Sequence, residues 1–235
     1  MVQSDHLSKK YDQDLETLRT AVLQMGGLVE AQIRSAIDAY ANGSQDLIDQ
    51  VIAGEGRVDE CEVNIDNDCS HIIVKRQPAA NDLRLILAIS KAVTDLERIG
   101  DEAEKIARMS KQIHERGRMQ PQRFPSIRHA ADVAVSMLRR ALDAFARLDA
   151  AQAAAVIRED RAIDAEFRSV LRQLVTFMME DPRTISTALE IVWIAKAIER
   201  IGDHAKNIAE DVIYIVKGTD VRHTAVEAVE REAMG

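Results

Sequence analysis

Apolar residues recur at steps of three and four along almost the whole chain. Leu15, Leu18, Val22, Met25, Val29, Ile33, Ala36 and Tyr40 follow one another in this way, which places them on one face of a helix. Asn42-Gly43-Ser44 ends that helix, with Gly43 as the stop and Ser44 as the N-cap of the next. Leu47, Val51, Val58, Cys61, Ile65 and Ile72 carry the period on to a break at Gln77-Pro78. A third helix is predicted from about Ala79 to His114. The stretch from Arg116 to Pro125 then holds two prolines, a glycine and three arginines, and reads as a linker.

The pattern then starts again. Ala36-Ile37-Asp38-Ala39-Tyr40-Ala41 matches Ala141-Leu142-Asp143-Ala144-Phe145-Ala146 at an offset of 105, and Val51, Ile52 and Asp59 match Val156, Ile157 and Asp164 at the same offset. The phrase Glu-Arg-Ile-Gly-Asp at Glu97–Asp101 returns at Glu199–Asp203 with an offset of 102. Two copies of a three-helix unit account for this, with antiparallel neighbours joined by short connections. The fold class is therefore all-α, two tandem three-helix bundles. Residues 1–115 form the first, 116–125 the linker, 126–218 the second and 219–235 a C-terminal tail.

Composition agrees. Hydrophobic residues make up 46% and charged residues 30%, while aromatics are only 3%, which favours helix over sheet. A net charge of -8 argues against a general nucleic-acid binder, which would show a basic face. No apolar run approaches the roughly 18 residues of a membrane span, and the start lacks the apolar core of a signal peptide. Membrane association is expected only through partners. Cys61 and Cys69 lie on one predicted helix with roughly 12 Å of rise between them, beyond disulfide reach. Reduced thiols suit a cytoplasmic protein.

The candidate chemistry lies in acidic residues spaced by four, which share a helix face. Glu97 and Asp101 are one pair, Glu55 and Asp59 another. Glu199 with Asp203 and Asp160 with Asp164 repeat them in the second half. If the second and third helices of each unit pack side by side, four carboxylates converge, and their repulsion must be relieved by protonation, arginines or cations. Oxygen-rich sites suit Mg, Ca or Mn by ligand hardness, and bridged carboxylates also suit iron. Gly100 and Gly202, each costing about 1 kcal/mol inside a helix, leave room for an ion or a close helix. Glu62/Asp66 is a further pair without a counterpart, since Phe167 replaces Glu62, and it leaves the register of the first site open.

Other residues carry less. His204 and Asn207 follow Asp203, where the first copy has Glu102 and Lys105, and His204 reads as a helix-surface or outer-shell residue. His71, His114, His129 and His223 have no ligand spacing. Met178, Met179 and Trp193 read as core or end-of-bundle packing. There is no Gly-rich phosphate loop, nucleophile elbow or Cys-x-x-Cys pair. A carboxylate-bridged dimetal enzyme, an oxidase or phosphoesterase, is the alternative function. The Glu-x-x-His of ferritin-like dimetal bundles is missing from the chain.

Arg76-Gln77-Pro78-Ala79-Ala80-Asn81-Asp82-Leu83-Arg84, then Leu96 to Asp101, Met178 to Ile185, Ile198 to Asp203 and Val216 to His223 occur in an order that resembles the PhoU family of phosphate-specific transport accessory proteins. The resemblance covers nearly the whole chain. It implies two three-helix bundles with multinuclear iron or zinc clusters on Glu/Asp-x-x-x-Asp motifs. Those fall on Glu55, Asp59, Glu97 and Asp101, and on Asp160, Asp164, Glu199 and Asp203. It also implies a non-enzymatic negative regulator of the phosphate-starvation response in the bacterial cytoplasm. Its partners would be a membrane sensor histidine kinase and the ATPase subunit of the phosphate ABC transporter, and it would act as a homodimer.

Overall fold

A computed structural model of the protein describes residues 2–116 and 124–234, with side chains from Lys9 onward. Among these residues the chain runs α1 (Val2–Asn42), α2 (Gln45–Arg76), α3 (Ala80–Arg116), α4 (Pro125–Arg147), α5 (Ala150–Glu180), α6 (Ile185–Lys217) and α7 (Val226–Met234), without strands. A single 3₁₀ turn, Pro182–Thr184, leads into α6. Most of the expected linker, residues 117–123, lies outside the described residues.

The helix ends follow local chemistry. Gly43 takes the left-handed conformation (φ 68°) and its amide donates to Ala39 O at 2.8 Å, closing α1. The Ser44 side chain then accepts from Leu47 N at the start of α2. The second copy repeats the device with other residues: Leu148 is left-handed (φ 53°) and the Asp149 carboxylate accepts from Gln152 N at 2.9 Å. Each cap side chain satisfies an amide that the first helical turn leaves without a partner.

α1, α2 and α3 pack on one another, as do α4, α5 and α6. The two units are joined chiefly along α3 and α6, and secondarily where α1 meets α4. The repeat places buried apolar residues at matched positions of the two helices: Ile89, Leu96, Ile99 and Ile106 of α3 correspond to Ile191, Ile198, Ile201 and Ile208 of α6, and all eight are buried. The core therefore runs unbroken through both repeats. α7 packs on α5, where Arg161 meets Glu227 at 3.4 Å and Arg158 meets Glu230.

Two expectations of core packing fail. Trp193 is 64% exposed and Met179 lies on the surface, whereas Met178 packs against the core. Among the described residues, no helix is long and apolar enough to cross a membrane.

Candidate metal centre

α2 and α3 lie side by side, as do α5 and α6, so each unit brings its two acidic helix faces together. All eight candidate residues are half-buried. In the first unit, Glu55 and Asp59 lie within hydrogen-bonding reach of each other. Burial first, then repulsion from Asp59, Glu104 and Asp101, pushes the Glu55 carboxyl above its ordinary range. Glu97 is raised likewise, by burial and then by Asp101 and Glu62, against a lowering pull from Arg98. Glu55, Asp59, Glu97 and Asp101 thus form one electrostatic neighbourhood. Glu62 and Asp66 lie on the same helix face and are engaged across it, accepting from Thr94 Oγ1 at 3.2 Å and Ser90 Oγ at 2.7 Å.

The second unit neutralises its acids differently. Burial, then Glu199 and Asp160, raises Asp203 to about 6. Lys206 donates to Asp160 at 2.9 Å and Lys196 to Glu199. Asp164 faces Arg168 on its own helix at 3.6 Å. The contrast is built into matched positions: Glu104 with Arg108 in the first unit stands where Lys206 and Glu210 stand in the second. Lys196 also lies over the Phe167 ring at 5.6 Å, the place where Thr94 meets Glu62 in the first unit.

The glycines serve close helix packing. A Cβ on Gly100 would come 3.2 Å from Val58 Cγ1, and one on Gly202 would come 2.5 Å from Ile163 Cδ1. Between Gly54 and Gly100 lies Gln32 of α1, 6% exposed, with both amide atoms unpartnered. The donor chemistry of the first unit fits a hard cation: four carboxylates, and an adjacent amide oxygen with nothing to accept from. As the side chains stand, no group of three or more His, Cys, Asp or Glu among the described residues is gathered closely enough to hold an ion.

With this geometry in view, the sequence was compared with known proteins. The PhoU domain profile matches residues 22–110 and again 127–212. The chain belongs to the PhoU family. A phosphate-specific transport system accessory protein PhoU homolog of Pseudomonas putida is 49% identical over 98% of this chain and 90% of its own length. The Escherichia coli K12 phosphate-specific transport system accessory protein PhoU is 43% identical over 98% of this chain and 95% of its own. Among solved structures, PhoU from Pseudomonas aeruginosa superposes with a TM-score of 0.84 at 48% identity, covering 89% of this chain and all of that one. The phosphate transport system regulatory protein PhoU from Streptococcus pneumoniae gives a TM-score of 0.83 at 25% identity, covering 90% of this chain and 99% of that one.

The two PhoU domains are tied by polar residues of α3 and α6. His204 of α6 is half-buried and reaches across to α3. Its Nδ1 donates to Asp95 of α3 at 2.7 Å, and Asn207 donates to the same oxygen at 3.0 Å. At the other end of the seam, Glu102 of α3 is buried and takes Arg200 of α6 at 2.8 Å and Lys105 at 2.9 Å. Gln32 carried one sequence signal: it stands beside the apolar seam of α1 at the position that Met137 takes in the second PhoU domain.

Proposed function

We propose that this chain is a metal-binding, non-catalytic adaptor that regulates phosphate uptake. With phosphate plentiful it holds a membrane sensor histidine kinase in its repressing state, and it restrains the high-affinity transporter through that transporter's ATPase subunit. It works in the cytoplasm as a homodimer. The observation that carries the reading is near full-length identity, 49% over 98% of the chain, to a protein named for accessory function in phosphate-specific transport.

The paired helix faces support the metal part. Glu55, Asp59, Glu97 and Asp101 would hold cations in the first PhoU domain, and Asp160, Asp164, Glu199 and Asp203 in the second, with iron or zinc as the expected metals. A bound cation would supply positive charge that offsets the repulsion and burial now raising Glu55, Glu97 and Asp203. In the second domain Lys196 and Lys206 already provide part of that charge. A cation there must displace them.

Deleting the gene should leave alkaline phosphatase expressed in phosphate-rich medium, and normal repression would sink the regulatory assignment. The Glu199→Ala/Asp203→Ala double variant should lose the metal of the second PhoU domain, by elemental analysis, while its far-ultraviolet dichroism stays helical. Unchanged metal content would count against these ligands.

A further inference from the structure

The seam between α3 and α6 opens at each end into a groove, and the repeat relates the two grooves. One, of 350 Å³, is lined by Lys91, Thr94 and Asp95 of α3 with Asn207 and Asp211 of α6. The other, of 650 Å³, is lined by Trp193, Lys196 and Ala197 of α6 with Lys105 and Met109 of α3. These are the same five positions at an offset of 102. The chemistry differs. The smaller groove is polar, and the chain's own segment after α6 places Arg222 in it. In the larger one Trp193 replaces Lys91, Met109 replaces Asp211 and Ala197 replaces Asp95.

Three features of the larger groove specify what it takes. Ile185, Leu189 and Trp193 are all exposed and follow at four-residue steps along α6, an apolar stripe beside a trough between two helices. Lys105, Arg116, Lys196 and Arg200 rim it, each already paired with a carboxylate: Lys105 and Arg200 share Glu102, Arg116 meets Glu190 and Lys196 meets Glu199. Among the described residues the rim thus carries one more cation than carboxylate, opposite in sign to the chain's net -8. On its floor, the Glu190 side chain is 8% exposed; Arg116 engages one oxygen, and Oε2 has no partner.

We propose that this groove docks an amphipathic helix of a partner protein, with apolar residues at four-residue spacing and acidic flanks. The apolar side chains cover Leu189, Trp193 and Met109, the acidic ones reach Lys105 and Arg200, which share the single carboxylate of Glu102, and a hydroxyl or amide donor meets Glu190 Oε2. A second copy of this chain fits less well, because two-fold pairing would set the surplus cation of each rim, where Lys105 and Arg200 share Glu102, against its own duplicate. The proposal goes beyond the regulatory reading and does not rest on it, since binding is measured on purified protein; repression in cells can fail or hold independently.

Trp193 is the only tryptophan of the chain, so its emission reports this groove alone. The probes are a tryptophan-free synthetic helical peptide with leucines at i, i+4 and i+8 flanked by glutamates, and its twin flanked by lysines. The glutamate peptide should shift the emission to the blue with saturation, bind at least ten-fold tighter than the lysine twin, and weaken with added salt. Leu189→Asp, at an exposed position, should keep the helical dichroism and lose the peptide by at least ten-fold. Equal or tighter binding of the lysine twin overturns the proposal, as does an emission unmoved by either peptide. A blue shift that grows with protein concentration alone, together with a dimer that Leu189→Asp dissociates, overturns it in favour of a second copy. A shift produced by phosphatidylglycerol vesicles and by neither peptide overturns it in favour of a lipid surface.

Discussion

Asp211 shows how far burial alone moves a single group. It is 7% exposed in the seam between the repeats, and desolvation raises its carboxyl to about 7, with Lys91 and Arg222 pulling down and Asp95 and Glu210 pushing up. The unfolded chain would release this proton near 3.8. The folded state therefore binds more protons between those values, and the group's favourable contribution is complete below about 4 and lost as pH climbs to about 7. Asp211→Asn stays neutral throughout. It should raise the unfolding free energy by about 2–4 kcal/mol at pH 8 and change it little near pH 4, as measured by urea titration at the two pH values. The sequence did not mark Asp211, since its counterpart Met109 breaks the acidic repeat. The eight carboxylates were legible because duplication at fixed offsets singled them out. The Asp95–His204 bond joins helices of different repeats, and no local period reveals such a pair.

At the scale of the element, helix formation was written plainly. Long runs of three- and four-residue spacing and a stop at Gly43 or Gln77 leave little choice of structure, and α3 departs from its expected ends by only a residue or two. α7 escaped because a nine-residue helix buries just Val229 and Ala233, too few positions to make a period. The exposure of Trp193 also escaped, since apolar spacing marks a face without saying what covers it. The caps invite a direct comparison. Asp149 accepts its amide at 2.9 Å and Ser44 at 3.4 Å, and a carboxylate also interacts favourably with the helix N-terminus. Asp149→Ala should cost about 1 kcal/mol and lower the melting temperature more than Ser44→Ala, by differential scanning calorimetry of both variants.

For the whole molecule, duplication explains both the likeness and the difference of the halves. Each half repeats the helix packing, yet the first leaves Glu55, Asp59, Glu97 and Asp101 without a lysine, whereas the second sets Lys196 and Lys206 among its acids. The seam of α3 on α6 then has a further consequence. Residues 1–116 produced alone would lose the α6 cover along α3, leaving open a strip of helix whose missing neighbour was its near-twin. Such a severed half should find that cover in another of its kind, α3 against α3, and sediment as a symmetric pair where the intact protein needs no such substitute at this face. A severed half that sediments as a single folded body would show that the strip can stay wet.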